Sequence, residues 1–386
     1  MKVGIDGSAL APPRTGVGNY IFRILEQLVL SEPTWRFTIY SNRPVSLNQY
    51  HNVHVRVSSP YRRGPYWQNT QLSRFVRLDA PDVFWAANGF APLFKAERTA
   101  VVVTIHDLVY RFAANTLPLV SRLGRRIFQP LAIRAADKIV AVSAATATDI
   151  RSVYRREADA VIHPVVSSEY APSARGLAER VRSRLTLPPR YILALGTLEP
   201  RKNIPMLIDA YLACLRRHLP LPVLVIAGGK GWLDHDISAA IAEGEALGGI
   251  RKLGYVQQTD LPGLYAGAAA FMMPSSYEGF GMPIVEAQLC CVPVLYSNTP
   301  AMREAAGGAG VPFEPTRAGI VAVLTAFARG ECPLNCRLPS TIVNSATAAA
   351  ATMKDLMVDA IEDRRRARSR HVAPDHKPTM PPQPAP

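Results

Sequence analysis

Residues 275 to 286 read Ser-Ser-Tyr-Glu-Gly-Phe-Gly-Met-Pro-Ile-Val-Glu. Two carboxylates, Glu278 and Glu286, bracket a glycine-rich turn, and Pro283 opens an expected helix. Backbone N–H groups at a helix N-terminus attract phosphate. The glycines let the amides of Phe280, Gly281 and Met282 face such a group. Carboxylates are odd neighbours for phosphate unless they accept hydrogen bonds from hydroxyls. Glu286, about one turn into the helix, suits two vicinal hydroxyls as a ribose presents them. Glu278, on the loop, suits the hydroxyls of a sugar. The preference of an acid for a helix N-terminus, ~0.3–1 kcal/mol, would explain one glutamate but not the whole loop. The segment reads as a nucleotide-sugar site.

Other groups are placed to complete that chemistry. An expected strand over 191–195 runs into Gly196-Thr197-Leu198-Glu199-Pro200-Arg201-Lys202-Asn203. Cations just past the C-terminal end of a strand stand where an open α/β sheet holds its ligand. Arg201 and Lys202 could neutralise a diphosphate leaving group, although such a pair alone reads equally as a solvated turn. In the first half, Thr15-Gly16-Val17-Gly18 follows the first strand and leads into a helix, as phosphate-binding turns do. Ile21 stands where a dinucleotide fingerprint has its third glycine, which disfavours a nicotinamide enzyme. His106 and Asp107 end another strand, and from spacing alone they fit a sugar contact or a structural pair equally well. Gly228 to Trp232 forms a small-residue turn after a further strand. Asp234-His235-Asp236 has the D-x-D form that carries manganese in some transferases, but its place at a helix start favours capping. No metal site and no cofactor are expected.

The elements that must position these groups alternate short apolar runs with longer amphipathic stretches. That pattern implies α/β architecture with parallel sheets. Strands are expected at 3–6, 36–40, 53–57, 83–85, 101–105, 138–142 and 160–162, with helices at 18–30, 121–135 and 144–153. Residues 171–189 are polar, basic and proline-flanked, and read as a linker. The alternation restarts with strands at 191–195, 223–227, 250–253, 269–273 and 292–296, and with helices from Ile204, Asp260, Pro283 and Met302. The expected organisation is a first domain over 1–170, a second over 190–343, and a helix over 344–370 that could cross back to the first domain. A proline-rich tail over 371–386 is expected to be disordered. Two such units joined by a linker place a cleft between them.

Composition narrows the classes. The chain has 386 residues, 48% of them hydrophobic and 19% charged, a globular balance too long for one ordinary core. No apolar run approaches the ~18–20 residues of a membrane helix. The start, Met1-Lys2-Val3-Gly4-Ile5-Asp6, enters a strand pattern directly, so no leader and a cytoplasmic location are expected. Five cysteines are all beyond residue 213, and Cys332 and Cys336 lack a second ligand pair; reduced thiols are expected. The net charge of +14 is mostly in the first half. No zinc-finger spacing, RNP motif or basic heptad points to nucleic acid. An anionic membrane is the other partner for such charge, and peripheral contact with one is expected. Tyr61 to Trp67 interleaves arginines with aromatics, and Leu119 to Arg134 carries four arginines among Leu, Ile and Phe. The second reads as a basic helix able to lie on a bilayer, the alternative being a solvated basic face.

Together these motifs resemble the retaining glycosyltransferases of family 4, which have the GT-B fold. The resemblance rests on Gly4-Ile5-Asp6-Gly7, Thr15-Gly16-Val17-Gly18, Thr104-Ile105-His106-Asp107-Leu108, Val142-Ser143, Gly196 to Asn203, Leu253-Gly254-Tyr255-Val256 and Glu278 to Pro283 with Glu286. It covers about residues 1 to 315. It implies two Rossmann-like parallel-sheet domains facing across a cleft, the second holding the donor. It implies that Arg201 and Lys202 bind the diphosphate, Glu286 the ribose and Glu278 the transferred sugar, with amides at Phe280, Gly281 and Met282. The backbone near Val256 would face the base, and His106 with the Gly16–Gly18 turn would approach from the first domain. It implies metal-independent transfer with retention. The chain departs from the family pattern at His163-Pro164-Val165-Val166, at Thr197 and beyond Glu314.

Within the family, Thr-Gly-Val-Gly and Ile-His-Asp-Leu look most like the bacterial branch that builds O-antigens and exopolysaccharides. That likeness implies GDP-mannose as donor and a polyprenyl-diphosphate-linked glycan as acceptor, at the inner face of the plasma membrane. Three alternatives stay open from the residues: a rhamnose or UDP-hexose donor, a UDP-sugar epimerase, and a non-catalytic glycan-binding scaffold.

Overall fold

The computed structural model describes residues 1–12, 14–47, 49–58, 67–92, 94–229, 234–333 and 345–372, with the side chains of 69, 234–237 and 370–372 left aside. Residues 61–66, Lys230 to Trp232, the side chains of the Asp234-His235-Asp236 triplet, Cys336 and residues 373–386, all singled out above, lie outside that description.

Thirteen strands are described, β1 Lys2–Asp6, β2 Arg36–Ser41, β3 Val53–Val57, β4 Val83–Ala86, β5 Ala100–Ile105, β6 Lys138–Ala141, β7 Ala160–Val161, β8 Tyr191–Leu195, β9 Val223–Ala227, β10 Ile250–Gly254, β11 Ala270–Met273, β12 Val294–Ser297 and β13 Val311–Phe313. The helices are α1 Gly16–Ser31, α2 Ser73–Asp79, α3 Val109–Phe112, α4 Leu119–Ala135, α5 Ala144–Tyr154, α6 Arg175–Arg184, α7 Ile204–Arg216, α8 Asp234–Ala246, α9 Leu261–Ala266, α10 Met282–Leu289, α11 Pro300–Ala306, α12 Arg317–Ala328 and α13 Ala346–Val372.

The strands form two sheets, ordered β3-β2-β1-β4-β5-β6-β7 and β10-β9-β8-β11-β12-β13. Every pairing is parallel. Helix crossovers cover both faces of such sheets, so central strands are apolar throughout. β5, Ala-Val-Val-Val-Thr-Ile, is buried at every residue, and its one hydroxyl, Thr104 Oγ1, accepts from Trp85 Nε1 at 2.9 Å. In each sheet the chain reverses its winding direction once, between β1 and β4 and between β8 and β11. The loops after these four strands therefore diverge and leave a crevice, the place where open α/β sheets bind ligands.

The fold class is as the sequence implies, and most elements shift only at their ends. Three differences have physical causes. β13 is three residues long and contains Pro312, so it carries neither the length nor the donor pattern of a strand. Residues 171–189 are not an open connection, because α6 lies within them and packs on α9. A Cβ on Gly263 would meet Val181 Cγ2 at 2.6 Å, and Arg184 pairs with the buried Asp260. The polar composition of this stretch describes the exposed side of α6 and hides its narrow buried seam. Gly18, expected at a phosphate turn, is inside α1, where a Cβ would lie 2.3 Å from the Ala9 carbonyl oxygen. That glycine is required by helix–loop packing.

The last helix, α13, lies against the first domain. Met353, Met357 and Ala360 are fully buried there, and the helix packs on α1, β4, β5 and β6. Lys354 Nζ reaches Glu32 at 2.5 Å, and Lys138 Nζ reaches Asp363 at 2.9 Å. We expect Met353→Ala or Met357→Ala to destabilise the first domain by about 2–5 kcal/mol. Urea unfolding followed by tryptophan fluorescence measures this, since Trp35, Trp67 and Trp85 are in that domain. A wild-type midpoint in both variants would show that α13 is not part of its core.

Candidate active site

Glu278 is at the centre of the cleft and its side chain is 9% exposed. Arg201 Nη1 lies 2.6 Å from one carboxylate oxygen, and Lys202 Nζ lies 2.7 Å from the other. Burial alone would raise the Glu278 carboxyl, but the two cations outweigh it and hold it at about 2. Arg201 also donates through Nε to Glu199 at 3.0 Å, and its carbonyl accepts from the Ser276 amide at 2.8 Å. The turn after β8 and the loop after β11 are thus tied together by charge and by backbone.

Close backbone approach makes this possible. A Cβ on Gly228 would lie 1.9 Å from the Gly196 carbonyl oxygen, so the loops after β9 and β8 touch only because residue 228 is glycine. Gly281 adopts φ +119, a conformation that glycine takes at little cost, and caps the start of α10.

Glu286 is one turn into α10 and is partly buried, with its carboxyl shielded by the groups around it. Tyr265 donates to its Oε2 at 2.9 Å. Burial raises its carboxyl from 4.5 to about 7, and the Tyr265 hydrogen bond and the Lys202 charge offset only part of that. Glu278 and Glu286, on one loop, are therefore in opposite electrostatic situations.

The first domain closes the cleft. A Cβ on Gly279 would sit 1.7 Å from the His106 carbonyl oxygen, so the two domains meet backbone to backbone there. Ser143 Oγ and Thr146 Oγ1 both donate to the Gly279 carbonyl, at 2.5 and 2.9 Å. Tyr277 donates to Asp149 at 2.8 Å and accepts from the Leu108 amide at 3.0 Å. Glu304, on α11, accepts from the amides of Ala144 and Ala145 at the start of α5, at 2.7 and 2.9 Å. His163 Nε2 is 2.7 Å from the same carboxylate, and its ring stacks on Phe280 at 5.3 Å. Burial would raise the Glu304 carboxyl, but His163 and the two amides bring it below its ordinary value.

His106 Nε2 donates to the Ala87 carbonyl at 2.8 Å, because a carbonyl only accepts. In the neutral ring Nδ1 then carries the lone pair, and burial lowers the ring's pKa. Arg201, Lys202, Glu278, Phe280, Gly281, Met282, Glu286, Gly16 and His106 line one cavity of about 450 Å³ between the domains.

Two further positions do not themselves line the cavity. Gly18 is in the α1 packing seam, and Val256 is buried in the core, while Gln258 and Leu261 line the cavity in that region. The interdomain contacts of Glu304, Thr146 and Tyr277 carry no motif in the sequence, because they join segments more than a hundred residues apart. Among the described residues no cluster of His, Cys, Asp or Glu could hold a metal ion.

Comparison with known proteins agrees with this architecture. The model of the family "Glycosyltransferase Family 4" matches residues 14–170, and that of "Glycosyl transferases group 1" matches residues 178–318. The chain is 29% identical over 336 residues to the O-antigen chain mannosyltransferase B of Escherichia coli, covering 82% of this chain and 87% of that one. Among solved structures, the catalytic domain of starch synthase IV from Arabidopsis thaliana, bound to ADP and acarbose, superposes with a TM-score of 0.67 at 12% identity, over 94% of this chain and 99% of that one. Anabaena HepE, solved with UDP and glucose, superposes with a TM-score of 0.60 at 18% identity, over 96% and 99%.

Two outcomes follow from the electrostatics. The native state holds the Glu286 proton between 4.5 and about 7, where the unfolded chain has released it, so wild-type stability falls as pH rises through that window. Glu286→Gln removes this loss, and its stability relative to wild type should improve by up to about 3 kcal/mol between pH 4 and pH 8. Denaturant melts at the two pH values measure it, and a pH-independent difference would refute it. Glu304→Ala leaves the α5 amides and His163 without their acceptor, a loss of about 1–3 kcal/mol in the interface. We expect a larger radius of gyration by small-angle scattering. An unchanged radius would show that this contact does not hold the domains together.

Proposed function

The chain belongs to glycosyltransferase family 4 and is a glycosyltransferase of the GT-B fold, and we propose that it transfers mannose from GDP-mannose, with retention, onto a lipid-linked glycan. The observation that carries the reading is the loop from Ser275 to Glu286, packed against Arg201 and Lys202. Hydroxyl-binding carboxylates and diphosphate-binding cations there share one cavity. The likeness to an O-antigen mannosyltransferase favours mannose over the other hexoses.

In this reading the second domain holds the donor. Arg201 and Lys202, with the loop amides at Phe280, Gly281 and Met282, take the charge that develops on the departing diphosphate. Glu286 accepts the ribose hydroxyls through the oxygen that Tyr265 leaves open. Glu278 accepts hydroxyls of the mannose. His106 Nδ1 faces the reaction from the first domain as a hydrogen-bond acceptor. The bond between the anomeric carbon and the diphosphate oxygen breaks as the acceptor oxygen bonds to that carbon on the same face. The acceptor's proton passes to the leaving diphosphate, so no protein carboxylate serves as nucleophile. The acceptor is a polyprenyl-diphosphate-linked glycan at the cytoplasmic face of the membrane.

A thermal-shift comparison of GDP-mannose, UDP-glucose and dTDP-rhamnose tests the donor. Ligand at a hundred times its Kd stabilises by about 2.7 kcal/mol, so the true donor stands out. We expect a rise with GDP-mannose alone; a rise with UDP-glucose alone overturns the mannose assignment. Glu278→Ala should abolish transfer while circular dichroism stays that of wild type, and unchanged turnover would overturn the site.

A further inference from the structure

His163 opens the segment after β7 that departs from the family pattern. Its backbone is restrained on both sides. The Ile162 amide continues the ladder to the Ala141 carbonyl at 2.9 Å, and Ile162 is buried. Pro164 has a fixed φ, biases the residue before it toward extended backbone, and lines the cleft. The imidazole therefore leaves a firm edge of the first domain and meets two separate segments of the second. Nε2 is 2.7 Å from a Glu304 carboxylate oxygen on α11, and an ionised carboxylate only accepts, so Nε2 donates. The Ala144 and Ala145 amides hold that carboxylate in turn, which fixes the direction from which the ring is bound. The flat of the ring lies on Phe280, with 5.3 Å between centroids and 27° between planes.

Phe280 needs such a partner. It is flanked by Gly279, packed against the His106 carbonyl, and by Gly281 at φ +119. Glycine on both sides restrains the backbone little, so the packing of the Phe280 ring decides where its peptide points. The residue is 4% exposed, and His163 is its one aromatic partner among the described residues. Its N–H donates to no described residue, although Phe280 lines the cavity. A backbone donor left unpaired on the wall of a polar cavity is available to an anion.

We infer that His163 is a positioning residue: from the first domain it clamps the Phe280 ring, so that the Phe280 N–H is held in the cleft as a phosphate donor, while Glu304 keeps the imidazole flat on that ring. That the N–H meets the diphosphate of a nucleotide sugar rests on the function proposed above; the clamp itself does not. One side chain of the first domain thereby ties α11 to the loop before α10. A nucleotide that uses this N–H binds the clamped loop better than the free one, so nucleotide binding and the seating of His163 favour each other.

Three variants separate a clamp from a plain link between domains. His163→Phe keeps a ring over Phe280 and loses the hydrogen bond. His163→Gln keeps a donor for Glu304 and loses the ring, and His163→Ala loses both. Nitrogen-15 relaxation of the full chain labelled at phenylalanine reads the Phe280 amide without any ligand. Its order parameter should stay near about 0.85 in wild type and His163→Phe, and fall toward about 0.6 in His163→Gln and His163→Ala. Titration with GDP should follow the same order, with binding weakened about two- to tenfold in the Gln and Ala variants, the range that an aromatic pair is worth, and near wild type in the Phe variant. An order parameter unchanged in all three overturns the inference. So does a wild-type value in His163→Gln with a loss in His163→Phe, which would make His163 a link to Glu304 only. Equal GDP affinity in all variants despite a loosened amide refutes the phosphate role of the N–H. A wild type that binds UDP and not GDP, or neither, refutes the donor or the transferase reading, while the order parameters still decide the clamp.

Discussion

A carboxylate cannot remain charged inside this cleft unless cations enter with it. Glu278 is buried, and removing one partner of such a pair costs about 3–5 kcal/mol because the other charge is left unmatched. Arg201 and Lys202 are drawn under the loop after β11, and the turn after β8 comes with them. This half of the cleft is therefore held together by the chain's own charges. Arg201 spends Nε on Glu199 and Nη1 on Glu278, which fixes the plane of the guanidinium. A planar cation held in that way has little orientational entropy left to lose when a diphosphate approaches.

The same loop is also the floor on which the first domain rests. Its Gly279 carbonyl accepts from Ser143 and Thr146, and the Gly279 Cα touches the backbone of His106. Each sheet alone offers a crevice at its point of reversed winding. Facing them across Gly279 turns two shallow crevices into one cavity with Arg201, Lys202 and Glu278 on one side and His106 on the other. Glu304 reaches past the loop to the start of α5, where an acid favours the helix N-terminus and satisfies two orphan amides. Closure is thus written in hydrogen bonds between the domains beside an apolar cluster that runs from one into the other.

Much of this was legible in the sequence, for a physical reason. Buried parallel strands must be apolar runs, and the ligand-binding turns at their ends must hold glycines and charges, so Gly196 to Asn203 and Ser275 to Glu286 announce themselves. What depends on distant pairing does not. Glu304 reads as an ordinary helical acid, and only its approach to Ala144 gives it a role. Gly18 reads as a phosphate-turn glycine because close packing and phosphate binding make the same demand for a missing side chain. Residues 171–189 read as linker because a surface helix with one buried seam has nearly the composition of a loop. The exposed row of Leu119, Leu123, Ile127 and Leu131 on α4 shows the converse. Its leucines read as a helix pattern, but only the structure shows that nothing in the described chain covers them.

Glu286 shows how a site can depart from the rules that build the rest of the fold. Among the other acids at the cleft, Glu278 is matched by two cations and Glu304 by two amides and a histidine. Glu286 has Tyr265 and the charge of Lys202 and nothing more, so burial lifts its carboxyl to about 7. Core packing gives no reason to place an acid there, since a leucine would fill the same space without the desolvation cost. The arrangement becomes favourable when two hydroxyl donors arrive together, because they supply the hydrogen bonds that the protein omits. A vicinal diol then binds partly by relieving a cost that the empty site carries. A ligand without one leaves the cost in place, so in the proposed reading Glu286 would favour ribose-bearing donors before any contact to base or sugar is made.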